Sequence, residues 1–217
     1  MKLWAALLFS MVALTLSVRG AEEIKIACVG DSITYGAGTS NPGKASYPSQ
    51  LQALMGGGFK IGNFGRSGAT LLNSGDLPYT KQPEYQKALA FAPDVVVIML
   101  GTNDSKPQNW KNKDKYEADY ESLVDAFAAL PSKPKIWLIL PVPAFGSNFG
   151  IRGDVIEKET IPMVEAVAKK KGLPTIDLHT ALKENAKDFP DKIHPNDAGA
   201  KVMAENVAKV LLATLKK

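Results

Sequence analysis

Short apolar runs alternate with amphipathic stretches along most of this chain. The apolar runs lie at residues 24–29, 59–64, 94–100, 135–141 and 174–177. The stretches between and after them carry apolar residues at helical spacing, at residues 47–55, 83–90, 116–129, 155–171 and 195–215. Runs of four to eight apolar residues are typical of buried strands, and the 3.6-residue period is typical of helices. The pattern therefore predicts five strands with helices between them.

The third apolar run identifies the middle of the predicted sheet. Residues 95–100 read VVVIML, with no alternation of polar and apolar positions. Such a strand is covered on both faces, as in parallel sheets whose crossover helices pack on either side. We predict an α/β protein with a three-layer, flavodoxin-like fold and a five-stranded parallel sheet of order 2-1-3-4-5.

The first 20 residues do not fit this pattern. Lys2 precedes an apolar stretch over residues 3–18, and the small residues Gly20 and Ala21 lie near the break. A basic start, an apolar segment and small residues at the break are typical of a secretory signal peptide. We expect cleavage near Gly20, a single domain over residues 21–217, and a secreted or periplasmic protein. The alternative is an uncleaved anchor.

Composition and charge exclude several function classes. The chain has 26 basic and 22 acidic residues, and loss of Lys2 and Arg19 with the first 20 residues leaves 24 against 22, or +2. This balance gives no electrostatic reason to expect nucleic acid or stable membrane association. The single cysteine, Cys28, cannot form a disulfide within the chain and falls in the first predicted strand, where we expect a buried thiol.

The first candidate for chemistry is a serine directly after the first strand. Residues 30–34 read GDSIT, which breaks the apolar run with a tight turn. Such a turn places Ser32 at the carboxyl end of the strand, where open α/β sheets bind their ligands. A serine nucleophile also needs a base, a partner that orients the base, and donors for the developing oxyanion.

Only two histidines are available as the base. His194 precedes Pro195, and Asp191 lies three residues earlier, close enough for its carboxylate to accept a ring N–H. Asp188 is a weaker rival for this role. His179 follows the fifth strand, three places from the first strand and therefore roughly 14 Å away. We expect His179 to be structural.

Two further segments offer oxyanion donors. Residues 63–65 end the second strand, and Gly65 lets a backbone N–H approach a substrate closely. Residues 101–104 end the third strand, and the side-chain amide of Asn103 can reach the same oxygen. Together with the N–H of Ser32 they make three donors. Either segment taken alone is equally typical of an ordinary turn.

These four segments, in this order, resemble the SGNH or GDSL-type serine esterases. The resemblance covers nearly the whole chain after residue 24 and implies the SGNH hydrolase fold without a cofactor. It implies Ser32 as nucleophile, Gly65 and Asn103 as oxyanion donors, and Asp191 with His194 as the rest of a catalytic triad. The chain most resembles secreted carbohydrate O-acetylesterases, including those acting on sialates and hemicelluloses. We therefore expect hydrolysis of short acetyl esters on glycans.

The two longest loops follow strands three and four, at residues 102–115 and 142–153, and should border the ligand crevice. We expect Trp110 to stack on a sugar and Arg152 to contact its polar groups. Trp110 could equally pack within its loop, and Arg152 could pair with Asp154.

Other functions remain open. A lysophospholipase or thioesterase would use the same triad with an apolar acyl groove, for which Phe145 and Phe149 are weak candidates. An acyltransferase would prefer a sugar acceptor to water, and a non-catalytic carbohydrate-binding protein would bind without cleavage. Paired cysteines and clustered histidines are absent from the sequence, so we expect no metal.

Overall fold

A computed structural model describes residues 23–215 and contains one five-stranded sheet. The predicted signal peptide lies outside the described residues. The strands are β1 Ile24–Gly30, β2 Phe59–Gly65, β3 Val95–Met99, β4 Lys135–Leu140 and β5 Thr175–Asp177. All neighbouring pairs are parallel, and the order is β2-β1-β3-β4-β5. The predicted fold class and strand order are confirmed.

The centre of the sheet sets the place of the functional site. Strand β1 pairs with β2 on one side and β3 on the other, and Gly30 at its end faces both Gly65 and Met99. The chain order reverses at this point, so connections leave β1 and β3 toward opposite faces and open a crevice between them.

Ten α-helical segments lie within residues 23–215. They are α1 Ser32–Tyr35, α2 Pro42–Ala45, α3 Tyr47–Met55, α4 Pro83–Ala90, α5 Pro107–Trp110, α6 Tyr116–Ala128, α7 Gly153–Val155, α8 Ile161–Lys171, α9 Leu178–Ala181 and α10 Asp197–Leu215. The longer helices match the predicted ones, whereas the four-residue helices were not predicted. No helix in this part of the chain is long and apolar enough to cross a bilayer.

Two apolar cores cover the two faces of the sheet. Alternate residues of β1 point to opposite sides: Ala27 and Val29 join the core beneath α6 and α8, while Ile26 and Cys28 join the core beneath α3 and α10. Every residue of β3 is buried, as its unbroken apolar sequence predicts. Cys28 is fully buried, and this burial raises the pKa of its thiol to about 12.

The predicted helix over residues 155–171 is interrupted. A π-helical turn, Ile156–Thr160, separates α7 from α8. Pro162 lies in the first turn of α8 and has no N–H to donate to the preceding turn, where its ring would also crowd a carbonyl. The wider π turn accommodates the proline without breaking the helical path.

Candidate active site

Ser32 lies at the point where β1 ends and α1 begins. Asp31 caps α1, because its Oδ1 accepts a hydrogen bond from the backbone N–H of Ile33 at 2.9 Å. This cap starts the helix immediately after the strand and turns the serine toward the crevice. The Oγ of Ser32 lies 2.9 Å from Nε2 of His194, across 162 residues of sequence.

The structure places Asp191 on the other side of the same imidazole. Its Oδ2 lies 2.6 Å from Nδ1 of His194, and its Oδ1 accepts the backbone N–H groups of Ile193 at 2.9 Å and His194 at 2.7 Å. The carboxylate therefore holds both the ring and the backbone of His194. A ring whose Nδ1 carries the proton presents an unprotonated Nε2 to the serine hydroxyl, as a general base requires.

The electrostatics of Asp191 suit this role. Partial burial acts to raise the pKa of its carboxyl, but hydrogen bonds from the backbone and side chain of His194 and from the backbone of Ile193 outweigh burial. The net result is a lowered pKa. The carboxylate therefore stays charged beside the ring and stabilises the imidazolium that forms when His194 takes a proton.

Gly38 supports His194 from behind. Its φ is +92°, and a Cβ at this position would lie 2.8 Å from the Cβ of His194 and 2.8 Å from the carbonyl oxygen of Pro195. Both the backbone conformation and the close approach favour glycine. The loop after α1 thus packs directly against the base.

Asn103 lies just beyond β3, at the start of a short 3₁₀ turn, and its side chain is almost completely buried. Its Nδ2 donates to the carbonyl oxygen of Ala69 at 3.1 Å. The amide of Asn103 therefore adjoins the segment that follows β2. One of its two N–H groups is used in this bond, which leaves the other available to an oxyanion.

The structure contradicts Gly65 as the backbone donor. Its N–H already donates to Oδ1 of Asn63 at 3.0 Å, and a Cβ at this glycine would lie 2.1 Å from the backbone nitrogen of Tyr35. Gly65 is therefore glycine because α1 packs against it. An N–H held by a neighbouring side chain is not free to stabilise an oxyanion.

Gly68 is the better candidate, and sequence reasoning missed it. It has a φ of +82° and directly precedes Ala69, whose carbonyl binds Asn103. Within residues 23–215 its N–H makes no hydrogen bond. The Ser67–Gly68 dipeptide was the available signal, because a glycine after a serine in a turn is typical of a positive φ.

A buried carboxyl fixes the segment after β2 against Asn103. Asp104 is fully buried, and its oxygens accept the N–H groups of Leu71 at 2.9 Å and Leu72 at 2.8 Å. Burial raises the pKa of Asp104 to about 7, although both hydrogen bonds act to lower it, and the nearby Asp31 adds to the rise. Burial likewise raises the pKa of Asp31 to about 6.

The predicted sugar contact of Trp110 is wrong. Only 5% of this residue is exposed, its ring packs edge-on against Tyr116, and its indole N–H donates to Glu159 at 3.0 Å. A ring enclosed in this way has no free face for a sugar. Residues 107–110 form α5, which turns Trp110 into the core.

Arg152 is half-buried, and its polar groups are directed at the loop after β3. Its backbone N–H and its Nε donate to the side chain and the carbonyl of Ser105, at 3.0 and 2.6 Å. This arrangement ties the two long loops together. A contact of Arg152 with substrate stays a prediction.

His179 lies apart from the serine and its partners. Its Nδ1 pairs with the carbonyl oxygen of Pro141 at 3.0 Å, which joins α9 to the end of β4. No group of three or more histidine, cysteine, aspartate or glutamate side chains within residues 23–215 is arranged to hold a metal ion.

Replacement of Asn103 by alanine is expected to lower kcat by roughly 10²–10³-fold, with a smaller effect on KM, because a donor that acts on the developing charge is lost. Steady-state kinetics on an acetyl ester measures the separate effects on kcat and KM. Asn112→Ala is the matched control, since Asn112 lies on the same loop and its side chain does not cap the 3₁₀ turn that it precedes. An unchanged kcat in Asn103→Ala would mean that the amide only anchors Ala69.

Comparison with known proteins agrees with this geometry. Residues 28–202 match the model of the GDSL-like lipase/acylhydrolase family. An acetylxylan esterase of Xylanibacter ruminicola is 44% identical in an alignment 208 residues long that covers 88% of this chain and 43% of that protein. A multidomain esterase of Ruminococcus flavefaciens is 26% identical over 85% of this chain and 28% of its own length. The chain thus spans less than half the length of these relatives.

Solved structures share the same fold. A carbohydrate acetylesterase from Sinorhizobium meliloti superimposes with a TM-score of 0.71 at 22% identity, over 88% of this chain and 99% of that one. At this level of identity the likeness concerns the fold alone.

Proposed function

This chain belongs to the GDSL-like lipase/acylhydrolase family, and from that membership we propose that it is a serine esterase that removes acetyl groups from carbohydrates. Acetylated xylan is the proposed substrate class. The observation that carries the proposal is the continuous chain of contacts from Ser32 Oγ through His194 to Asp191, at 2.9 and 2.6 Å.

In the first half of the proposed reaction, Ser32 Oγ attacks the acetyl carbonyl carbon while His194 Nε2 accepts the hydroxyl proton. The carbonyl oxygen becomes an oxyanion and receives hydrogen bonds from the N–H of Ser32, the N–H of Gly68 and the amide of Asn103. Collapse of this intermediate breaks the bond to the sugar oxygen, and His194 returns the proton to that oxygen.

In the second half, water attacks the acetyl-serine. His194 takes a proton from the water, and the same donors stabilise the second oxyanion. The bond between Ser32 Oγ and the acetyl carbon then breaks, and His194 returns the proton to Ser32 Oγ. Acetate is released and the enzyme is restored. No step needs a group beyond these residues and water.

The choice of substrate rests on the relative of highest identity described above. That protein is an acetylxylan esterase, and its similarity extends over 88% of this chain. A likeness of this extent favours a shared acyl group more strongly than a shared polysaccharide, because the serine and its donors act on the acyl group while loops contact the sugar.

A small acyl group also suits the surroundings of the oxyanion donors. Ala69, Asp104 and Ser105 are fully buried beside Asn103, and Asn109 donates to the Asn103 carbonyl at 2.9 Å. Packed protein therefore fills the space next to the donors. An added methylene gains about 0.8 kcal/mol only where it is buried. The packed residues beside Asn103 leave little depth for a longer acyl chain.

We expect kcat/KM to fall steadily from acetyl through butyryl to octanoyl esters of one alcohol. Initial rates on such a series, together with acetate release from acetylated xylan, test the proposal. A kcat/KM that rises with chain length would contradict it and favour a lysophospholipase or thioesterase. Sugar binding without acetate release would favour a non-catalytic binding protein.

Export is the second part of the proposal. A secreted or periplasmic location is supported by the basic, apolar and small-residue pattern of residues 1–20. Mass spectrometry of the mature protein from its native host is expected to find an N-terminus near Ala21. An intact Met1 on the exported or membrane fraction would instead indicate an uncleaved anchor.

A further inference from the structure

An exposed aromatic side chain stands next to the proposed base. Phe149 is 57% exposed, and its ring centroid lies 5.5 Å from that of His194, with the two planes inclined by 54°. Only a few large apolar side chains within residues 23–215 are exposed to a similar extent. A single exposed apolar side chain is ordinary on a protein surface, but this ring lies directly beside the proposed base.

The backbone at Phe149 is strained to hold this position. Its φ is +54°, in the left-handed region that aromatic residues rarely adopt. The strain is held by Asn148, whose Oδ1 accepts the N–H of Phe149 at 2.9 Å and whose carbonyl accepts the N–H of Ile151 at 2.9 Å. Strained residues persist where the surroundings fix them, and they concentrate at functional sites.

The same loop is joined to the turn that carries the base. Asn148 Nδ2 donates to the carbonyl oxygen of Asp191 at 3.0 Å. The N–H of Phe145 donates to the carbonyl oxygen of Lys192 at 2.8 Å. Arg152 fixes the far end of the loop through Ser105. The loop that carries the ring is therefore fixed at three points, two of them on the turn of His194.

The reaction determines which part of the substrate approaches this ring. His194 Nε2 must return its proton to the sugar oxygen as the acetyl group leaves, so that oxygen lies within hydrogen-bond distance of the imidazole. The sugar ring that bears this oxygen is then within reach of a side chain whose centroid is 5.5 Å from the imidazole. Phe149 lies on the leaving-group side of the site.

We propose that Phe149 is the platform on which the acetylated sugar packs, so that it selects the alcohol part of the ester. This inference rests on the proposed function. The C–H groups on one face of a pyranose are apolar and weakly positive, and they complement the face of an aromatic ring. Phe149 thus has the sugar-stacking role that the sequence suggested for Trp110, which is buried in the core.

The test compares two acetyl esters that differ only in the alcohol: a mono-acetylated xylo-oligosaccharide and ethyl acetate. In Phe149→Ala, the ratio of kcat/KM for the sugar ester to that for ethyl acetate is expected to fall about tenfold, mainly through KM of the sugar ester. Phe149→Leu, which keeps apolar bulk without an aromatic face, is expected to lower the ratio as well. Phe149→Tyr and Phe149→Trp are expected to preserve it.

Leu54→Ala is the matched control, because Leu54 is an exposed apolar residue, 47% accessible, on the distant helix α3. Its ratio is expected to equal that of the unmodified protein. An equal loss on both esters in Phe149→Ala, with an altered pH profile, would show that the ring only shields His194 and would overturn the platform. So would an unchanged ratio.

Failure of the proposed function gives a different result. If the unmodified protein cleaves ethyl acetate but releases no acetate from acetylated xylo-oligosaccharides, the substrate assignment fails and the platform fails with it. If the unmodified protein cleaves both esters and the Phe149→Ala and Phe149→Leu variants keep its ratio, the esterase assignment stands and the platform alone is overturned.

Discussion

Ser32→Ala is expected to lower kcat for acetyl ester hydrolysis by about 10⁶-fold, the order of effect that follows loss of a triad nucleophile. The hydroxyl is the proposed acyl acceptor, and its Oγ contacts His194 Nε2 at 2.9 Å. Loss of one oxygen should leave the fold unchanged, because the cap of α1 is made by Asp31 rather than by Ser32. Kinetics on an acetyl ester, with circular dichroism as the check of folding, measures the effect.

Ser67→Ala is the matched control for this variant. Ser67 lies in the segment between β2 and Ala69 and is exposed, so it is open to reagents. A serine-directed organophosphonate is expected to add mass at Ser32 and not at Ser67. Labelling of Ser67, or full activity in Ser32→Ala, would remove Ser32 from the proposed mechanism.

The sheet could be predicted from sequence because its signals are local and redundant. The run at residues 95–100 has a composition that only a strand covered on both faces explains well, and β3 is buried along its whole length. The positions of Ser32 and Asn103 followed from the same argument, since parallel strands bring their carboxyl ends to one edge. The choice of His194 followed instead from its spacing to Asp191 and Pro195. The distances between these residues needed the structure.

The choice between Gly65 and Gly68 shows where sequence reasoning ends. Gly65 is the last residue of β2 and Gly68 lies three residues further on, and a glycine at either position suits a close backbone approach. What separates them is whether the N–H is already bonded. Asn63 takes up the N–H of Gly65, and this contact depends on a side-chain orientation that spacing does not specify.

Trp110 and Phe149 show the same limit for side-chain exposure. Both are aromatic residues in loops predicted to border the crevice, yet one is 5% exposed and the other 57%. Trp110 ends α5, and its indole N–H donates a hydrogen bond to Glu159, 49 residues away, which holds the ring inside the protein. Phe149 is held outward by a positive φ, which the sequence of a non-glycine residue gives no reason to expect.

His194→Ala is expected to lower kcat about as much as loss of the serine, by about 10⁶-fold, because nucleophile and base act as one unit. The same imidazole serves both halves of the reaction, so neither acylation nor deacylation retains a base. Asp191 would lose its contact with the ring but keep its hydrogen bond from the backbone of Ile193, and the turn should therefore survive.

The other histidine supplies the control that makes this result specific. His179 contacts the carbonyl of Pro141 at 3.0 Å and follows β5, which lies three places from β1 in the observed sheet. Three inter-strand spacings amount to roughly 14 Å, too far for proton transfer to Ser32. His179→Ala is therefore expected to keep kcat within about threefold of the original while losing some thermal stability with the Pro141 contact. If kcat fell in His179→Ala and persisted in His194→Ala, the base would have to be reassigned, and the 2.9 Å contact between His194 and Ser32 would be structural only.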